Sequence, residues 1–230
     1  MTGKTITIYT TGDNRNIKGG QKILHDGKLK IISMSAMWKL RATSLASAGS
    51  TFKADNLTKL IQVFGTIQAD SVSTIYFVGH GFDNSEGGYF LSGAPEGSDN
   101  FTASSNQCIN LAEKELMNKL VAAIYKIMKK ESKVTIGFLS CYTGNGKMTR
   151  WFYNKLFEAG LKQLTVGAYK DYYQTRFTAN KQGRILRWTD NIVNKQGSEV
   201  VRTGVNGIPN YQVIHKIIDS RDPLEGLEFN

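Results

Sequence analysis

Three apolar runs, Ser73–Val78, Val134–Leu139 and Leu164–Ala168, constrain this chain more than any other feature. They are rich in β-branched and aromatic residues and are nearly continuous, without the polar alternation of a half-solvated strand. Strands of that kind are buried on both faces, as in a parallel sheet covered by helices. Thr5–Tyr9 and Lys30–Met34 read as two further strands. Between them the period changes. Leu57, Leu60, Ile61 and Phe64 follow helical spacing behind Asp55 or Asn56 as a cap. Leu116, Leu120, Ile124 and Ile127 line one face of a second helix. Asn110 and Glu113 stand at capping-box spacing before it, and Lys126, Lys129 and Lys130 suit its C-terminal end. Met148, Trp151, Phe152 and Leu156 mark a third helix, which stops at Gly160.

Strands alternating with helices give an α/β class, a three-layer fold around a mostly parallel sheet. The 230 residues read as one domain, with a core of about residues 1–170 and a small β-rich extension over about 171–230. In that extension Arg184–Trp188 and Glu199–Val205 look like short strands, and Tyr211–Ile218 is a last strand or helix.

Composition removes several function classes. Two cysteines, Cys108 and Cys141, exclude a disulfide scaffold and a four-cysteine zinc site, and three histidines leave few metal ligands, so no metal site is assigned. No apolar run approaches the roughly 20 residues of a membrane span. Met1 leads straight into an alternating strand pattern, not the basic start and apolar block of a signal peptide. The expectation is a cytoplasmic chain, or one delivered by a specialised secretion route. A net charge of +10 suits a polyanionic partner or an anionic surface, and equally a solvated basic exterior.

Two residues carry reactive chemistry. Ser73–Val78 runs into Gly79-His80-Gly81, and Val134–Leu139 runs into Ser140-Cys141. A helix between the two strands makes them parallel, so both residues leave the same edge of the sheet. A free thiol titrates near 8.5 and needs a base at neutral pH. An imidazole takes that proton and later delivers it to a leaving amine. The N–H groups of Gly81 and Cys141 are candidate donors to a developing oxyanion, and Gly81 leaves room for a substrate backbone. Taken singly, a cysteine at a strand end is a small buried hydrophobe, and a His-Gly pair is a turn.

An apolar run ending in His-Gly, followed 61 positions later by one ending in Ser-Cys, resembles the signature of the clan CD cysteine peptidases. That group includes caspases, gingipains, clostripain, legumain, separase and the self-cleaving domains of large bacterial toxins. The motifs are Ile75-Tyr76-Phe77-Val78-Gly79-His80-Gly81 and Ile136-Gly137-Phe138-Leu139-Ser140-Cys141. The resemblance covers roughly residues 55–170 in the order of elements and is closest to the bacterial members. It implies a caspase–hemoglobinase fold, a His80–Cys141 dyad, Gly81 and Cys141 at the oxyanion, and a polypeptide substrate, which is another protein or the chain's own precursor. It requires no cofactor. Leu139-Ser140 before the cysteine and Tyr142-Thr143 after it depart from caspases, which argues against aspartate specificity.

By the same resemblance Asp171 and Tyr172, after the fifth run, line the substrate pocket together with Ser140. The basic stretch with Arg176, Lys181, Arg184 and Arg187 is a candidate face for inositol hexakisphosphate, which switches on the toxin relatives. The rival reading is a non-catalytic module of the same fold that holds a polyanion there. No nucleic-acid motif accompanies the basic residues. Gly144-Asn145-Gly146-Lys147 resembles the end of a phosphate loop but has Met148 where Ser or Thr belongs. Lys147 also stands where a tyrosine-phosphatase loop needs arginine. Cys108 has no histidine near it in sequence and reads as structural.

Overall fold

The computed structural model describes residues 3–17, 21–25, 27–82, 87–93, 95–96, 100–101, 104–145, 147–169, 172–193, 199–202 and 213–215. Five parallel strands form its centre: β1 (Lys4–Tyr9), β2 (Thr51–Lys53), β3 (Val72–Val78), β4 (Val134–Leu139) and β5 (Leu164–Ala168). After them come β6 (Tyr172–Ala179), β7 (Ile185–Val193) and β8 (Glu199–Arg202), which make a separate antiparallel sheet. Then β9 (Val213–His215) pairs antiparallel with β5 as an edge of the main sheet. The order across that sheet is β9-β5-β4-β3-β1-β2.

Alternation along each strand feeds two cores. Ile6, Ile8, Ile75, Phe77, Ile136, Phe138 and Val166 face one side. There they meet α2 (Leu57–Gly65), α3 (Lys114–Ile127) and α4 (Lys147–Ala159). Cross-strand partners Phe77 and Phe138 stack with centroids 4.9 Å apart. Tyr76, Val78 and Leu139 face the other side, against α1 (Met34–Leu45) and the β6–β7 hairpin. The result is an α/β arrangement in layers around a mostly parallel sheet. No helix among the described residues is long and apolar enough to cross a membrane.

The helices begin where the side chains can cap them. Asn56 accepts from the Lys59 N–H at 2.9 Å and is the N-cap of α2. Asn110 accepts from the Ala112 N–H and opens a short 3₁₀ turn, Leu111–Glu113, ahead of α3 instead of capping α3 itself. Lys30–Met34 is not a sheet strand. Ser33 Oγ accepts from the Ala36 N–H and starts α1 there, while Lys28–Lys30 pairs with Ile23–His25 in a two-stranded ribbon. The second strand of the sheet is the short, polar Thr51–Lys53 instead. The C-terminal region is not wholly an addition, since β9 completes the main sheet. Most of Tyr211–Ile218 lies outside the described residues, as do parts of 171–230.

Candidate active site

Strand β2 lies on one side of β1 and β3 on the other. In an open α/β sheet that reversal opens a crevice beyond the carboxyl ends of the strands on either side of the switch, here β1 and β3. The chain leaves β1 through Thr10–Asp13, β3 through Gly79–Gly81 and, next along, β4 through Ser140-Cys141. Val78 is paired in register with Leu139, and the Gly79 N–H donates to the Leu139 carbonyl at 3.1 Å. His80 and Cys141 therefore each stand two residues past a matched pair on adjacent parallel strands.

Position 79 requires glycine. Its φ is +151°, and an added Cβ would stand 2.0 Å from Thr10 Oγ1. That close approach lets the Thr10 hydroxyl accept from the His80 N–H at 3.0 Å and donate to the Phe90 carbonyl at 2.6 Å. The hydroxyl thus stands where the His80–Phe90 pair of the neighbouring hairpin would make its second ladder bond.

The imidazole is held from three sides. Its Nε2 lies 3.0 Å from Oδ2 of Asp13, a fully buried carboxylate. Arg15 forks onto the same carboxylate, Nε to Oδ1 at 2.9 Å and Nη2 to Oδ2 at 2.6 Å. The Trp38 ring meets the imidazole edge-on, centroids 4.2 Å apart. Burial pushes the Asp13 carboxyl up, but the hydrogen bonds from Arg15 and His80 outweigh it and hold the acid below the usual carboxylate range. For His80, burial pushes the pKa below its ordinary value, against the raising effect of Asp13. A neutral ring with Nε2 against a carboxylate carries its proton on Nε2, so Nδ1 is left as the basic nitrogen.

Cys141 is partly exposed at the end of β4. Its thiol donates to the Tyr173 carbonyl at 3.3 Å, and burial pushes it up to about 12. At rest, then, both the thiol and the neutral imidazole hold their own protons. Tyr142, the next residue, has φ +54°, a left-handed conformation at the turn that carries the sulfur.

Gly81 nests against this turn. A Cβ there would stand 2.1 Å from the Cys141 carbonyl and 2.4 Å from Thr143 Oγ1, so the room it leaves is taken by the protein's own backbone. The Phe90 N–H donates to the His80 carbonyl, which makes 81/89 a non-hydrogen-bonded pair and turns the Gly81 N–H out of the hairpin. Ser140 is fully buried, with Oγ 2.5 Å from Thr143 Oγ1. Its hydroxyl braces the turn that carries Cys141. Tyr172 stands on the rim, 41% exposed, with its phenol in the electrostatic field of both Cys141 and Arg15. Asp171 lies outside the described residues. Arg176, Lys181, Arg184 and Arg187 are exposed on the β6–β7 hairpin, whose opposite face buries Tyr173 and Asp190. Cys108 is buried beside Phe90, its thiol also pushed up to about 12 by burial.

Thr10, Asp13, Arg15 and Trp38 went unread in the sequence. The signal for the first two was present: Thr10-Thr11-Gly12-Asp13 follows a strand end just as Gly79-His80 and Ser140-Cys141 do. Fold and site together define a layered α/β chain with cysteine, histidine and aspartate at the carboxyl edge of its sheet. No protein-family model matches it, and comparison with curated proteins and with solved structures gave no match.

Proposed function

We propose that the chain is a cysteine endopeptidase of the clan CD type, with Cys141 as nucleophile and His80 as the group that moves the proton. The observation that carries this reading is the register: a thiol and an imidazole, each two residues past a paired position on adjacent parallel strands, with a buried carboxylate on the far nitrogen of the ring. Sγ attacks the peptide carbonyl carbon as its proton passes to Nδ1 of His80. The oxyanion receives N–H donors from Gly81 and Cys141, each contributing on the order of 2.7–4 kcal/mol. The carbon–nitrogen bond breaks, the imidazolium gives its proton to the departing amine, and a thioester remains on Cys141 until water hydrolyses it. Asp13 keeps the ring in the tautomer that this sequence of steps needs. The substrate is another polypeptide or the chain's own precursor, taken over a rim that includes Tyr172.

Two exposed guanidinium groups favour a second reading. Arg176 stands across from Thr189 and Arg187 across from Thr178, so both arginines share the outer face of the hairpin. With Lys181 and Arg184 they form a face for a polyanion such as an inositol phosphate, as an activator of the peptidase or as the ligand of a non-catalytic module.

A peptide-library cleavage profile of wild type beside Cys141→Ala and Asp13→Asn tests the first reading. Cleavage lost entirely in Cys141→Ala and lowered about 100-fold in Asp13→Asn is expected. Cleavage that survives Cys141→Ala rejects it. Thermal stabilisation by inositol hexakisphosphate that vanishes in an Arg176→Ala, Arg187→Ala variant supports the second; no shift at high ligand excess removes it.

A further inference from the structure

Four of the five large hydrophobic side chains that stand exposed among the described residues belong to two segments: Leu24 at 42%, Leu29 at 51% and Ile31 at 38%, and Leu186 at 60%. The two segments are joined. Leu24 and Leu29 are cross-strand partners in the ribbon formed by Ile23–His25 and Lys28–Lys30, so they share one face of it. Ile31 continues that face by alternation, while Ile23 points the other way, into the core beside Trp188. The Leu24 N–H donates to the Gly183 carbonyl at 2.8 Å. Leu29 lies over Gly183 so closely that a Cβ there would stand 2.3 Å from its Cδ2, and Leu186 follows three residues on.

Charge surrounds these apolar tips. Lys22, Lys28 and Lys30 are exposed on the ribbon, and Lys181, Arg184 and Arg187 on the adjoining turn and strand. Residues 21–31 and 180–187 hold a single acid, Asp26. Exposed apolar side chains on segments that carry six basic residues and one acid match a surface that is apolar within and anionic at its edge.

We propose that this face seats the chain on an anionic lipid bilayer, with Leu24, Leu29, Ile31 and Leu186 entering the acyl boundary and the lysines and arginines among the headgroup phosphates. The attachment is peripheral and salt-sensitive, since each basic residue adds a modest increment that falls off within a Debye length. It is independent of the peptidase reading and uses none of the residues at Cys141.

Co-sedimentation with phosphatidylcholine vesicles, with and without phosphatidylserine, tests it. Binding to the phosphatidylserine vesicles alone is expected, weakening as salt rises. A Leu29→Asp, Leu186→Asp variant is expected to bind about tenfold less or weaker still, and a Lys28→Glu, Lys181→Glu variant to lose binding at physiological salt. Cys141→Ala is expected to bind as wild type, which separates this test from the cleavage assay. Wild type that binds neither vesicle overturns the proposal. So does a leucine variant that binds as well as wild type, because attraction to the net charge would then suffice. Self-association lost in the leucine variant, without lipid binding, assigns the face to a second copy of the chain and equally overturns it.

Discussion

The two faces of the central sheet are built from different materials. Under α2, α3 and α4 the buried contacts are Leu60, Phe64, Leu120, Ile124, Phe152 and Leu156 against Ile75, Phe77, Ile136 and Phe138. Under α1 and the β6–β7 hairpin, apolar packing is interrupted by charge. Arg41 and Asp190 are both fully buried and paired, and the Tyr173 hydroxyl donates to Asp190 at 2.9 Å. Arg41 also lies 5.6 Å from the centroid of Trp188. The same side of the sheet holds His80 against Trp38. Buried ion pairs contribute little net stability, because desolvation offsets their attraction. They do fix geometry, and Tyr173 is the residue whose carbonyl receives the Cys141 thiol. One face supplies stability through area; the other spends some of it to hold a strand at the site.

The contrast can be broken most forcefully at Arg41. Arg41→Ala removes the cation that pairs with the buried Asp190 carboxylate and is expected to cost about 3–5 kcal/mol by denaturant unfolding. An Arg41→Met, Asp190→Leu double variant is expected to be more stable than that single variant, but with altered alkylation of Cys141. If the single variant costs less than about 1 kcal/mol, the pair is not what holds the hairpin. On the apolar face, Leu120→Ala is expected to cost about 2–4 kcal/mol with the alkylation rate of Cys141 unchanged. A changed rate would show that the faces are not separable. Tyr173→Phe removes one hydrogen bond to a charged group and is expected to cost about 1.5–3 kcal/mol.

Two pH measurements sharpen the distinction. An unfolded imidazole titrates near 6.5, while burial lowers the folded value for His80. Between the two the unfolded chain binds more protons, so stability falls as pH drops below about 6.5. His80→Gln is expected to flatten that slope. Asp13, held low in the fold by Arg15 and His80, acts in the same direction: below about pH 4 the unfolded carboxyl takes up a proton while the folded one stays ionised and paired, so stability falls further as pH drops. For Cys141, whose pKa is about 12 in the resting fold, the iodoacetamide rate is expected to climb about tenfold per pH unit above 7 without a plateau. A plateau near neutrality would mean that an ion pair with His80 already exists before substrate arrives.

What was legible in the sequence follows the same division. β4 and β5 run over just the residues read from their apolar content, β3 differs by one residue, and α2, α3 and α4 stand where helical spacing placed them. Those elements face apolar neighbours, so their side chains report their surroundings directly. α1 was missed because its buried side is Met37, Trp38, Arg41 and Ala42, and an arginine there breaks the apolar period. β2 was missed because three residues, Thr51-Phe52-Lys53, carry too little pattern, and β6 because its outward side is charged and polar. At the site, His80 and Cys141 were legible from strand ends alone. Asp13 and Arg15 were not, since they lie in a loop whose approach to His80 depends on β1 and β3 being neighbours.

One hydroxyl has a consequence for how the site can change over time. Thr10 Oγ1 joins the exit of β1, the backbone of His80 and the strand at Phe90 through a single atom. Valine there would keep the volume and lose both bonds, stranding a donor and an acceptor together, so serine, which keeps the hydroxyl, is the one conservative replacement. The exit of β1 and the backbone that carries the imidazole are thereby tied through one side chain, so Thr10 is where a substitution outside the reactive pair reaches the histidine most directly.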